Sequence, residues 1–382
     1  MCATCRTTTP HGQATRQQRS LAYLMLALCA LSSLLVLLSG CGTLSTRNSA
    51  VPAPVAQAPS LRQVQVHLAP APTLSMAVRT AQRHLYPFSP SNVGLMQLAV
   101  DAQGQVWVGE MHANRLGSLN SQTGVVTSWT PPGGRYGIMT TTLDAQGNAW
   151  FAELYANYIG RFDPRQQTFR LFPLGTWQGS PLGPQDLHFD GRGLLWFTAV
   201  EAGAIGRLDP GTGAIRLWPI PSSPSTLTVT PSGQVWFGAD GTIATLDPAT
   251  GQITFYDLPN PQAQVFAMAT DTTGRLWFTE VLPGKLGMLD PTTGTLTELS
   301  APALSGGPPA LYELVLDHQE HIWFVDVGAN MLVRYTPGQH ALTFFRLSLP
   351  GSAPFGLTLD PAGRLWFTAG GPSANYVGEM AP

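Results

Sequence analysis

An apolar run centred on Trp, usually followed by Phe, recurs seven times along the chain. The copies are Val106-Trp107-Val108, Ala149-Trp150-Phe151, Leu195-Trp196-Phe197, Val235-Trp236-Phe237, Leu276-Trp277-Phe278, Ile322-Trp323-Phe324 and Leu365-Trp366-Phe367. Successive Trp residues lie 43, 46, 40, 41, 46 and 43 positions apart. Such a period belongs to repeat architectures with one small sheet per unit. A chain of 382 residues would by length suggest two or three domains, but a repeat array builds one large domain from many small sheets.

The repeat near Gln264 shows the unit most clearly. Val265 to Thr270 reads as an apolar strand, and Asp271-Thr272-Thr273-Gly274 as a hairpin turn whose Gly can take a positive φ. Arg275 to Glu280 is the Trp strand, Lys285 to Asp290 a third, and Thr295 to Leu299 a fourth after the turn Asp290-Pro291-Thr292-Thr293-Gly294. Four antiparallel strands per repeat make a propeller blade. Only 11% of residues are charged, and 40 Gly and 33 Pro favour short strands and turns over long helices.

The expected fold is therefore all-β, a seven-bladed propeller of four-stranded antiparallel blades over residues 81–382. The last repeat stops after its third strand, Tyr376 to Met380. The sequence His84-Leu85-Tyr86-Pro87-Phe88 resembles the fourth strands elsewhere and is predicted to close the last blade, which removes an open sheet edge.

Residues 1–40 read as a targeting segment. Arg6, Arg16 and Arg19 precede an apolar run from Leu21 to Leu38 that ends in Leu38-Ser39-Gly40-Cys41, which resembles the lipobox of bacterial lipoproteins. This predicts lipidation of Cys41 and attachment to the membrane of a bacterial cell envelope, on its extracytoplasmic side. An uncleaved membrane anchor would place the bulk of the chain on the same side. Residues 41–80 are rich in Pro, Ala, Ser and Gln and are expected to form a flexible tether. The four Cys all lie before residue 42, so disulfides do not staple the repeats, and the absence of a basic patch argues against nucleic acid as a partner.

The combination of Asp-x-x-Gly, Leu276-Trp277-Phe278-Thr279-Glu280, Tyr158-Ile159-Gly160-Arg161, Ala204-Ile205-Gly206-Arg207 and Asp-Pro-x-Thr-Gly is similar to the virginiamycin B lyase (streptogramin lyase) family, over about residues 84 to 382. The resemblance implies elimination at an ester of a cyclic depsipeptide, with a catalytic His and a Mg²⁺ held by carboxylates. It also implies which positions matter. The family's substrate-contacting His in blade six falls on Tyr312, its Glu-Pro-His of the last blade falls on Ala353-Pro354-Phe355, and its second metal-binding Glu falls on Ala369. Phe cannot accept a proton and Ala cannot hold a metal, so no catalytic residue is assigned.

Strand alternation places the start of each first strand and the end of each Trp strand on one face of the ring. Eleven residues before each Trp stand Met96, Met139, Gln185, Ser225, Phe266, Tyr312 and Phe355, of which Met96, Met139, Gln185, Phe266, Tyr312 and Phe355 are candidate ligand contacts. Trp177, outside the blade pattern on a long loop, is another. Three residues past the Trp lie Glu110, Glu153, Glu280 and Asp326, candidate ligands for a divalent cation, Mg²⁺ or Ca²⁺, or else acceptors of backbone hydrogen bonds. These features point to a lipid-anchored module that binds a small molecule, glycan, peptide or envelope protein through an aromatic channel mouth. The alternative is a carbon-oxygen lyase like those of the family, or a metal-dependent lactone-type hydrolase.

Overall fold

The computed structural model describes residues 54–80, 83–89, 93–133, 137–304, 308–347, 352–371 and 375–381. The targeting segment and Cys41 lie outside the described residues. Seven blades form a ring, each built on four antiparallel strands that are consecutive in all but the last, with the first strand of every blade innermost. The strands of blade five are Val265–Thr270, Leu276–Glu280, Lys285–Asp290 and Thr295–Ser300. Blade seven takes three strands from the C-terminus, Pro354–Leu359, Leu365–Ala369 and Tyr376–Met380. Its fourth is Arg83–Pro87, paired antiparallel from Tyr376 opposite Pro87 to Met380 opposite Arg83. The ring thus closes through both ends of the propeller sequence, as expected.

The Trp-Phe dipeptide follows from the two-residue period of a strand, which sends neighbouring side chains to opposite faces. Trp150 packs forward with Leu195 and Phe197 of blade three, Trp196 with Phe237 of blade four, and Trp236 with Phe278 of blade five. Each Trp therefore fills one interface, and the Phe beside it fills the interface behind. At the seam between blades seven and one, Trp366 meets Val108 in place of Phe. The third strand must leave room for the Phe ring. A Cβ on Gly160, Gly206, Gly287 or Gly378 would stand only 2.0–2.2 Å from the Cζ of Phe151, Phe197, Phe278 or Phe367. That close approach explains the Gly of the Ile-Gly-Arg motif.

The Asp of the first hairpin has a second partner besides the turn. In blade five, Asp271 Oδ1 accepts the N–H groups of Thr273 (3.0 Å) and Arg275 (3.1 Å), while Oδ2 accepts the indole N–H of Trp277 at 3.0 Å. The same indole bond joins Asp144 to Trp150 (2.8 Å), Asp190 to Trp196 (3.0 Å), Asp317 to Trp323 (2.8 Å) and Asp360 to Trp366 (3.1 Å). Burial opposes the charge on Asp144, Asp271, Asp317 and Asp360, yet these bonds outweigh it and hold each pKa below the ordinary carboxylate value. Asp101 binds only its turn, leaving the Trp107 indole N–H without a partner among the described residues, and blade four has Thr230 in place of the Asp.

The stretch read as a tether departs from expectation. From Val55 onward it forms four short strands that add a fifth, parallel member to the outer edge of successive blades. Val55–Ala56 pairs with blade three, Ser60–Val64 with blade four, His67–Leu68 with blade five and Ser75–Thr80 with blade six, before Arg83–Pro87 enters blade seven. Composition could not reveal this, because the strands bury little. Ser75–Thr80 is exposed at every position, and its order comes from backbone pairing to the unpaired edge of Ala341–Arg346. The prolines at 59, 70 and 72 fall in the links, where no ladder N–H is needed.

Candidate functional site

The Thr that follows Trp-Phe builds the channel lining. Every first strand carries a bulge close to its start, so that ladder pairing is interrupted there, as between Val265 and Met268 in blade five. The Thr hydroxyl accepts the N–H that the bulge strands. Asp186 donates to Thr198 (3.0 Å), Ala267 to Thr279 (3.2 Å) and Gly356 to Thr368 (2.8 Å). Thr279 in turn donates to the carbonyl of Tyr312 at 2.6 Å, tying blade five to blade six. A bulge sets two consecutive residues toward the axis instead of one, and the channel consequently has two adjoining layers at this end.

The outer layer is the ring eleven before each Trp. Phe266, Tyr312 and Phe355 meet ring to ring, with centroids 4.7 Å apart for Phe266 and Tyr312 and 5.2 Å for each of the other pairs. Phe266 and Phe355, together with Met96, Met139, Gln185 and Ser225, line a neck of about 20 Å³. Burial raises the pKa of the Tyr312 phenol. The side chains at this end are largely apolar.

The inner layer, ten before each Trp, is polar and was not singled out by the sequence. Gln97 donates through Nε2 to Glu313 and accepts at Oε1 from the Thr140 hydroxyl at 2.5 Å. Thr140 also lies 2.8 Å from the Gln185 carbonyl, and Gln185 Nε2 donates to the Ser225 carbonyl at 3.1 Å. Asp186 accepts from the Thr226 hydroxyl and the Leu227 N–H, both at 2.9 Å. In blade seven the equivalent residue is Gly356, where a Cβ would lie 2.6 Å from the Met96 carbonyl oxygen and 2.9 Å from the Gln97 Cα. The absent side chain brings blade one close enough for Gln97 to reach blade six. Burial, with the charge of Asp186 adding to it, pushes Glu313 up to about 8. Counting back one position fewer from each Trp would have found this belt; the bulge that makes both positions face inward is not visible in the sequence.

The carboxylates after the Trp strands are not brought together. Glu110, Glu153, Glu280 and Asp326 are fully buried, each in its own blade, and no group of three or more potential metal-ligating residues occurs among the described residues. Glu110 is paired with Arg115 and accepts from Ser128. Asp326 accepts the N–H groups of Ala329 (3.0 Å) and Ala310 (3.2 Å), the hydrogen-bonding role weighed against metal binding. Glu153 has no partner among the described residues, and burial drives its pKa up to about 7. Glu280 is raised to about 7 as well, first by burial and then by Glu298 beside it. Trp177 is half-buried in a two-residue hairpin strand and packs against the core shared by blades two and three.

At the positions where the family resemblance expects acid, base and metal ligands, the chain presents Ala353, Phe355, Tyr312 and a buried Ala369. The virginiamycin B lyase family model matches residues 78–379. The chain belongs to this family. Among solved structures, virginiamycin B lyase from Staphylococcus aureus aligns at 22% identity over 79% of this chain and 99% of that one, with a TM-score of 0.70. A streptogramin B lyase aligns at 24% identity over 78% and 97%, with a TM-score of 0.69. A third, YCF48 bound to D1 peptide, aligns at 13% identity over 82% and 99%, with a TM-score of 0.65. At these identities the likeness to solved structures establishes the shared fold. No match was found among curated protein sequences.

Proposed function

We propose that this member of the family is a lipid-anchored, extracytoplasmic binding module that takes a ligand or a protein segment at its aromatic channel mouth. The observation that carries the reading is the packing of Phe266, Tyr312 and Phe355 over the neck, at the place where the family resemblance expects a base and a metal. Three convergent aromatic rings supply area and shape for recognition but no proton acceptor. The fold is shared with a protein whose solved structure carries a bound peptide, so the architecture is compatible with peptide binding.

Anchoring rests on the lipobox-like Leu38-Ser39-Gly40-Cys41. With Val55 already docked on blade three, the free span from Cys41 is 14 residues, a reach of at most about 50 Å. A Cys41→Ser form should leave the membrane fraction, and retention there would count against lipidation.

The test of function has two arms. A streptogramin B incubated with the protein and Mg²⁺ should be recovered unopened by mass spectrometry; ring-opened product would favour the lyase. Ligands found by thermal-shift screening of glycans, peptides and aromatic small molecules should lose their shift in a Tyr312→Ala, Phe355→Ala double variant. If every such ligand kept its shift, the aromatic mouth would not be the binding surface.

A further inference from the structure

Behind the neck the channel widens into a cavity of about 480 Å³. Its lining begins at the polar belt, with Gln97, Thr140, Asp186, Thr226 and Glu313, and continues down the first strands. The partly exposed Thr142, Thr270, Leu316 and Leu359 lie at its far end, on the side of the Asp-x-x-Gly hairpins. Gln97, Thr140 and Asp186 line both the neck and this cavity, but no residue of the aromatic ring lines the cavity, which is therefore a site of its own.

Its charge inventory is one-sided. Two carboxylates, Asp186 and Glu313, face this space, near enough for the charge of Asp186 to raise Glu313, and the lining contains no Lys or Arg; His188 is the one imidazole. Asp186 is held by Thr226 and Leu227, and Glu313 by Gln97, so all their protein partners are neutral donors. The next ring contributes the hydroxyls of Thr142, Thr228 and Thr358. A hard divalent ion takes about six or more oxygens, and the described residues offer no cluster of three ligating groups. An ammonium needs fewer acceptors and can share the carboxylates, while hydroxyls on the same molecule match the Thr ring.

We propose that this cavity binds a small polyhydroxylated amine, its ammonium against Glu313 and Asp186 and its hydroxyls against the Thr ring and His188. Entry is from the hairpin face, and the site is independent of the aromatic mouth. Binding of the cation favours the ionised form of Glu313, so each bound molecule expels a proton near neutral pH.

Glucosamine is a suitable probe, with glucose as its uncharged counterpart. Calorimetry on the full chain should show glucosamine bound at least about tenfold more tightly than glucose. The heat should vary with the ionisation enthalpy of the buffer, which reports proton release. Glu313→Gln, close in shape to the protonated acid, should keep the melting temperature, weaken glucosamine about tenfold and abolish the buffer dependence. Equal binding of glucose, a buffer-independent heat in the wild type, or no glucosamine binding at millimolar concentration would each overturn the proposal, whatever the variant does.

Discussion

The two ends of each Trp strand follow different rules. At the hairpin end five blades repeat one arrangement, an Asp that holds both its turn and the indole of the Trp six residues on. At the other end no two neighbouring blades present the same pair of inward residues. Met96 with Gln97, Asp186 beside Gln185, Glu313 beside Tyr312 and Phe355 beside Gly356 share a position and little chemistry. Repetition marks what every blade needs in order to stack, whereas variation marks the surface that only one channel has to provide.

The comparison can be broken most severely in the shared architecture. Gly287→Ala sets a methyl 2.0 Å from Phe278 Cζ, in a ring held between two blades, and should cost about 3 kcal/mol or more in urea denaturation. A cost near zero would mean that the Phe ring has room to move. Next comes Glu153, at the varied end. Its folded pKa of about 7 lies above its ordinary 4.5, so the folded state holds the proton more tightly. The stability contributed is full below pH 4.5 and lost as pH rises through about 7, by up to roughly 3 kcal/mol. Glu153→Gln should flatten that profile and stabilise the protein by roughly 2 kcal/mol at about pH 8. An unchanged profile would show that the buried acid is compensated.

The smallest effect separates two copies of the hairpin. Asp360→Ala loses the turn, the Arg364 pair and the Trp366 indole bond, and should cost about 2 kcal/mol. Asp101→Ala loses only the turn and should cost about 1 kcal/mol. Equal costs in the two denaturation curves would remove the indole bond from the account of why Asp recurs.

Much of the fold could be read in the sequence because the propeller repeats its own signals. The Trp-Phe alternation, the turn glycines and the unpaired last repeat each report a local requirement, and together they gave the blade count and the closure by Arg83–Pro87. The N-terminal strands could not be read, since Ser60–Val64 and Ser75–Thr80 owe their order to the edges they lie on and hardly to their own side chains. The site divided in the same way. The ring through Tyr312 and Phe355 could be counted from the Trp; its neighbours Gln97, Asp186 and Glu313 stand one position on, but nothing in the sequence shows the bulge that turns them inward as well.

By itself the sequence determined how many blades there are, how they close and which residues stand where the family resemblance expects catalytic groups, because each of these depends on which residue stands at a counted position. The tertiary structure alone decided that three aromatic rings pack together at one end of the ring of first strands, and that Gln97 of blade one meets Glu313 of blade six. The second of these contacts joins residues 216 positions apart, and it exists only because a bulge in every first strand turns a second side chain toward the axis.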